Sequence, residues 1–337
     1  MHMADALLSP IVGGTFWIAS GALIGYSAKK ITEENDNSKT PLMGVLGAFV
    51  FAAQMINFSI PGTGSSGHFG GGLLLAVLLG PYRAFITLAS VLIIQCLFFA
   101  DGGLLALGCN IFNLAFFPAF IAFPFIYRII AGNSLSTAKL AGGSMTAATV
   151  IFLMGSLSVV LQTLLSGITE LPFSTFVLFM VPIHLAIGIV EGLVTCAVLV
   201  FVARTEPSLL IPDKTAAHPG ITFALLAILA LLTGGVISWF ASRQPDGLEW
   251  SIAKASSSVE FRPKGEPLHE ALEAFQEKIA FLPDYGFKSA PKSLTDPESP
   301  VNGGTSLSGI VGSLSVLAAA GTFGLLLGRK RTGQKRL

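Results

Sequence analysis

Long apolar runs separated by short polar joints dominate the chain, and one stretch, 242–305, breaks that rhythm for long. A helix needs about 20 apolar residues to cross a bilayer, fewer where protein surrounds it. Runs of this kind lie near 11–28, 42–60, 70–81, 83–100, 108–130, 142–165, 174–203, 220–241 and 306–328. The third is short, and Gly80-Pro81 parts it from the fourth, so it reads as a half-helix lined by protein. The expected fold is all-α: a polytopic membrane helix bundle of about nine membrane segments, with a small extracytoplasmic module between the last two.

Basic residues in short loops mark the cytoplasmic side. With the N-terminus outside, that side receives Lys29, Lys30, Lys39, Arg83, Arg128, Lys139, Arg204, Lys214, Arg329, Lys330, Arg331, Lys335 and Arg336, 13 of the 20 basic residues. The other 7 fall in 242–305, and long segments translocate regardless of charge. The short outer loops near 1–10, 61–69, 101–107 and 166–173 hold no Lys or Arg. This reading predicts a multi-pass protein of the cell (inner) membrane, with the N-terminus outside and the C-terminus cytoplasmic. No positive charge precedes the first apolar run, so that run is expected to stay as an anchor rather than be cleaved.

Composition sharpens the picture. The chain of 337 residues is 52% hydrophobic and 12% charged, with a mean hydropathy of +0.74. A soluble domain carries about 25% charged residues, so lipid is the solvent that fits the surplus apolar surface. A net charge of +1 offers no basic field for a nucleic-acid partner. Cys96, Cys109 and Cys196 lie singly in apolar runs and read as small buried hydrophobes.

Segment 242–305 carries 7 basic and 10 acidic residues, net −3. Within it, Leu268, Leu272, Phe275 and Ile279 recur at helical spacing and are the expected core face, with His269 on the solvated polar face. Residues 289–306, rich in Pro, Ser and Gly, read as a linker.

No nucleotide-binding loop and no hydrolase or metalloprotease motif occurs, so no enzyme is read here. The chain instead opens Met1-His2-Met3. A free Met1 amine, the His2 amide nitrogen and the His2 imidazole can close two adjoining chelate rings on one ion. Planar nitrogen sets select Ni(II) or Cu(II), and binding requires deprotonation of the amide. Alone, His2 could equally be a frayed terminal residue. A fourth donor is offered by His68, inside the glycine-rich run 62–72, which could otherwise be a flexible loop with its histidine in water. Asn57 and Ser59 could orient His68 or cap a helix end. Asp5 and Asp101 are outer carboxylates able to hold the N-terminal segment or the histidines. His184 and Glu191 lie seven apart on one intramembrane face, either a structural polar pair or a proton relay.

Three stretches together, Met1 to Pro10, Asn57 to Gly72 and Pro182-Ile183-His184 with Glu191-Gly192, resemble the CbiM/NikM substrate-specific components of energy-coupling-factor importers for cobalt and nickel. The resemblance covers roughly 1–215 and implies a metal site made by the Met1 amine, the His2 amide and imidazole, and His68. Many family members begin MHIPDG, whereas Met3, Ala4 and Ala6 stand here in place of Ile, Pro and Gly. Residues 220–328 resemble a fused NikN/CbiN-type auxiliary region, with Pro245-Asp246-Gly247-Leu248-Glu249 similar to its PDGLE motif, and 329–337 form a basic tail. The fused arrangement implies Ni(II) as the transported ion, with Co(II) as the alternative. It also implies as partners a transmembrane coupling subunit and ATP-binding-cassette ATPase subunits, besides membrane lipid. Gly21 and Gly25 could admit a partner helix or pack within the chain. A rival expectation is a proton-coupled secondary transporter using His184 and Glu191.

Overall fold

Helices in lipid must satisfy their backbones internally, and they need a reason to pack other than apolarity, which lipid offers equally. The computed structural model, which describes residues 2–34, 39–211, 219–256, 267–288 and 303–329, shows how this chain does it. Helix α1 (Pro10–Glu34) starts on a proline and buries Gly13, Ser20, Ser27 and Ile31, a stripe of mostly small residues at near-heptad spacing. Its Ser20 hydroxyl donates to the Gly108 carbonyl at 2.7 Å. Ile11 and Ile18 on the other faces are 81% and 77% exposed, as suits lipid contact.

The remaining helices are α2 (Thr40–Gln54), α3 (Gly72–Leu79), α4 (Pro81–Phe99), α5 (Leu107–Ile130), α6 (Thr137–Ser166), α7 (Phe173–Thr205), α8 (Pro219–Gly235), α9 (Gly247–Ala255), α10 (Pro267–Ile279) and α11 (Gly303–Arg329). Among the described residues six helices are long and apolar enough to cross a membrane: α1, α4, α5, α6, α7 and α11. Helices α2 and α8 are shorter apolar helices, and α3 spans 8 residues, about 12 Å of rise, too little to cross alone. The nine expected segments are therefore six long helices, two shorter ones and the buried half-helix. Within α5 the stretch Phe112–Tyr127 winds as a π-helix around Pro118 and Pro124, which have no N–H to give.

Helix α4 is the hub, 78% buried, and its Arg83 pairs with Glu34 at the end of α1. Helices α8 and α11 flank α2. Their close crossing is set by glycine: a Cβ on Gly309 would lie 2.1 Å from the Gly234 carbonyl oxygen.

The stretch expected to continue as helix to residue 60 stops at Gln54. Beyond it an antiparallel hairpin forms, β1 (Asn57–Ile60) with β2 (Ser65–His68), which places Asn57 opposite His68. All four residues of β2 are buried. Non-helical backbone inside such a bundle needs side-chain partners, and it has them. Glu191 of α7 accepts from the N–H groups of Gly70 (2.7 Å) and Gly71 (2.9 Å), while Gln54 donates to the Gly70 carbonyl (2.9 Å) and accepts from Gln95 (2.8 Å). Gly71 has φ +74°, and a Cβ there would also meet Val50 at 2.5 Å.

Helices α9 and α10 belong to the module of segment 242–305. Helix α10 is rotated from its expected orientation: of the expected core face Leu272 and Ile279 are half-buried, but Leu268 and Phe275 are 42% and 55% exposed, and His269 and Gln276 are buried instead. His269 bonds the Leu8 carbonyl at 2.9 Å, and Gln276 donates to the carbonyls of Cys96 (3.0 Å) and Gly102 (2.7 Å). The polar face turned inward because the surface it meets offers carbonyl acceptors. The expected linker lies outside the described residues up to residue 302, and α11 begins at Gly303.

Candidate metal centre

Residues 2–9 fold back onto the bundle because their apolar side chains are swallowed by it: Met3, Leu7 and Leu8 are 0%, 2% and 0% exposed. The backbone is held as well. Asn110 accepts from Met3 N at 2.8 Å and donates to the Met3 carbonyl at 3.2 Å, and Gly103 N donates to the same carbonyl at 3.0 Å. Asp5 accepts from Ala106 N at 2.9 Å, and a Cβ on Gly103 would lie 1.9 Å from Asp5 Oδ1, so only glycine fits there. Asp5 thus ties the N-terminal segment to the 100–106 loop.

This anchoring brings His2 to His68. The two rings stack with centroids 5.3 Å apart and planes 8° from parallel. His2 Nδ1 lies 2.9 Å from Asp101 Oδ1, and His2 Nε2 is buried without a hydrogen-bond partner among the described residues. His68 Nδ1 lies 3.2 Å from the Phe69 carbonyl, which can only accept, so Nδ1 carries the proton and Nε2 the lone pair. Burial pushes the His68 pKa down to about 3, which keeps the ring neutral. Burial works against ionisation of Asp101, yet His2 and the Tyr285 hydroxyl hold its carboxyl below the usual range. Burial and the adjacent Asp101 push the Tyr285 phenol far up, so it remains a donor, at 2.6 Å from Asp101 Oδ2.

The rings lie in a cavity of about 760 Å³ between bundle and module. Among the described residues its lining holds seven carboxylates (Asp5, Asp101, Asp246, Glu249, Glu270, Glu273, Asp284) against one guanidinium, Arg243. Among the described residues no group of three or more His, Cys, Asp or Glu is arranged to hold a metal ion. The two imidazoles are the donors in view, and Met1 lies outside the described residues.

The other expected residues are placed differently. Ser59 meets the Ser242 hydroxyl at 2.9 Å, and the Asn57 carbonyl accepts from Ser242 N at 2.7 Å, so both hold the module's entry strand. His184 and Glu191 do not pair. Seven residues of helix separate them by about 10 Å. Glu191 holds Gly70 and Gly71, and His184 Nδ1 bonds the Met180 carbonyl at 2.8 Å.

The PDGLE residues each have a mechanical reason. Pro245 offers its carbonyl to Ser66 N at 2.8 Å. Asp246 caps α9 by accepting from Leu248 N and Glu249 N, both at 2.8 Å, while Glu249 closes the capping box. Burial alone would raise Asp246, but the Glu249 amide helps hold it below the usual carboxylate range. Gly247 lets α9 approach α7: a Cβ there would lie 2.9 Å from Ile187 and 3.1 Å from His184. Leu248 is 2% exposed, and Trp250 donates to the Thr63 carbonyl at 3.0 Å. Sequence reasoning passed over Gln54, Gln95, Asn110 and Tyr285. Buried polar residues in apolar runs were the available signal for the first three.

A polytopic helix bundle with two stacked histidines lining an acidic cavity is the architecture of a membrane transport component. Comparison gives the family. Residues 2–209 match CbiM, the cobalt uptake substrate-specific transmembrane region, and residues 221–329 match the PDGLE domain. A chain of Archaeoglobus fulgidus that carries the name fused nickel transport protein NikMN is 32% identical over 326 residues, 94% of this chain and 96% of that one. The cobalt transport protein CbiM of Geobacter sulfurreducens is 27% identical, with 80% of this chain and 81% of that one covered. A crystal structure of a transition metal transporter superposes with a TM-score of 0.53 at 33% identity, covering 60% of this chain and 93% of the other. The chain belongs to the CbiM family, fused to a PDGLE domain, and is a nickel or cobalt transport component.

Proposed function

We propose that this chain captures Ni(II) at the outer face of the cell membrane and hands it inward within an ATP-driven importer. The observation that carries the reading is the stacking of His2 on His68 at 5.3 Å in a carboxylate-lined cavity, although 66 positions separate them in sequence. The Met1 amine, the His2 amide nitrogen, His2 Nδ1 and His68 make a four-nitrogen planar set suited to Ni(II), with Co(II) as the alternative cargo. Chelation through His2 Nδ1 turns the ring about Cβ–Cγ and passes Nε2–H to Asp101, giving a carboxylate–histidine–metal arrangement. The chain works as two units, 1–215 and 220–328, the second carrying the exterior module 242–305. The termini lie outside and inside respectively, with 329–337 as a cytoplasmic basic tail. Energy comes from ATP-binding-cassette subunits through a transmembrane coupling subunit. Gly21 and Gly25 support a partner helix there, because nothing lies within 4 Å of a Cβ built at either. A proton relay through His184 and Glu191 gains no support, since each bonds backbone instead.

The test is calorimetry of the full chain in detergent with Ni(II), Co(II), Cu(II) and Zn(II), together with mass spectrometry of the mature N-terminus. Tightest binding of Ni(II) by a chain with a free Met1 amine is expected. An N-terminus trimmed or acylated in protein that still binds at full affinity refutes the site.

A further inference from the structure

Asp101 stands between two rings. Its Oδ1 is 2.9 Å from His2 Nδ1, and its Oδ2 accepts from the Tyr285 hydroxyl at 2.6 Å. Tyr285 belongs to the exterior module, 184 positions further along the chain. Its ring lies flat on Phe99, centroids 4.8 Å apart and planes 13° from parallel, and Phe99 is two residues before Asp101. Two further bonds bracket the contact, Leu282 N to the Phe98 carbonyl at 3.2 Å and Gln276 to the Gly102 carbonyl at 2.7 Å.

The backbone marks the same place. Among the described residues three non-glycine residues have positive φ: Ala100 (+55°), Asp284 (+50°) and Tyr285 (+57°). All three lie in the two segments that meet at Asp101. Side chains other than glycine adopt this region at a cost, and such strain persists where the surroundings over-determine it. Both loops are thus bent against local preference to bring one hydroxyl to one carboxylate.

We propose that Tyr285 is a positioning residue for metal capture, holding Asp101 so that, once the His2 ring has turned to free Nδ1, Asp101 accepts from Nε2–H and fixes the imidazole in its ligating orientation. The inference rests on His2 being a ligand, as proposed above. A carboxylate anchored at one oxygen alone can swing and take the ring with it; anchored at both, it cannot. The module that carries Tyr285 therefore takes part in setting the donor geometry without touching the ion.

Tyr285→Phe removes the hydroxyl and keeps the ring on Phe99. In full-length protein titrated with Ni(II), Y285F is expected to weaken binding by about tenfold, the lower end for partners of metal-ligating histidines. It should also shift the ligand-field absorption of bound Ni(II), with thermal unfolding of the metal-free protein near wild type. In an Asp101→Asn background, which already breaks the chain of contacts, Y285F should add no further loss. Wild-type affinity and spectrum in Y285F would overturn the proposal, and so would an equal loss in both backgrounds, which marks a merely structural role. His2→Ala separates the two readings. Full affinity in H2A removes the metal site and this inference with it; lost binding in H2A beside an unchanged Y285F removes this inference alone.

Discussion

The bundle and the module of 242–305 both bury polar side chains but differ in what they turn outward, lipid-suited apolar residues in the bundle and charged Glu270, Glu273, Glu277 and Lys278 in the module. In the bundle large apolar side chains both fill the core, as Phe51 and Phe85 do, and face outward, Ile18 at 77%, Leu165 at 72% and Leu178 at 65% exposed, while Gln54, Gln95, Asn110, Asn113, Gln162 and Glu191 are at most 6% exposed. In the module, α10 turns His269 and Gln276 inward and leaves Leu268 and Phe275 out. In both regions polar side chains go where loop backbone needs partners. Glu191 serves Gly70 and Gly71, Asn110 serves Met3, and Gln276 serves Cys96 and Gly102. The difference lies in what remains for the outer surface, and it teaches that here the irregular segments dictate orientation more strongly than apolar content does.

Changes on the bundle side should strike hardest. His2→Ala removes the chelate ring that the imidazole closes, and calorimetry should show Ni(II) affinity falling about a thousandfold, about 4 kcal/mol, in protein that still folds. Glu191→Ala strands two buried N–H groups and should cost about 3 kcal/mol, read by thermal unfolding in detergent. His68→Ala should weaken Ni(II) binding by tens-fold, about 2 kcal/mol, with membrane insertion intact; a variant absent from the membrane would make His68 structural. On the module side, Gly247→Ala pushes α9 off Ile187 and His184 and should cost about 1–2 kcal/mol, seen as faster proteolysis within 242–305 before the bundle unfolds. Ser59→Ala loses one exposed hydroxyl pair and should stay within about 0.5 kcal/mol. Should G247A instead unfold the bundle as severely as E191A, the contrast between the two regions fails.

The long helices were legible because lipid leaves apolar runs no alternative. His2 and His68 stood out because histidine is scarce, 5 in 337 residues, and both fall at polar joints. The hairpin 57–68 was not legible, since its inward strand Ser65-Ser66-Gly67-His68 has no apolar alternation and is buried by partners far away in sequence. Helix α10 was read only half correctly, with Leu272 and Ile279 half-buried but Leu268 and Phe275 outside, because the periodicity rule assumes an apolar core and here the facing surface offers carbonyl oxygens. Tyr285 was legible only as a core candidate of 242–305, and its hydroxyl's role was not, since it depends on unfavourable backbone conformations and on a carboxylate 184 positions away.

The grip of Glu191 on Gly70 and Gly71 has a bearing on leakage. One carboxyl ties α7 to the segment that follows His68 by two residues, so a downward passage for the cation cannot open there without parting both bonds. At about 1–3 kcal/mol for each buried group left unpaired, parting both bonds makes a displacement of that segment costly.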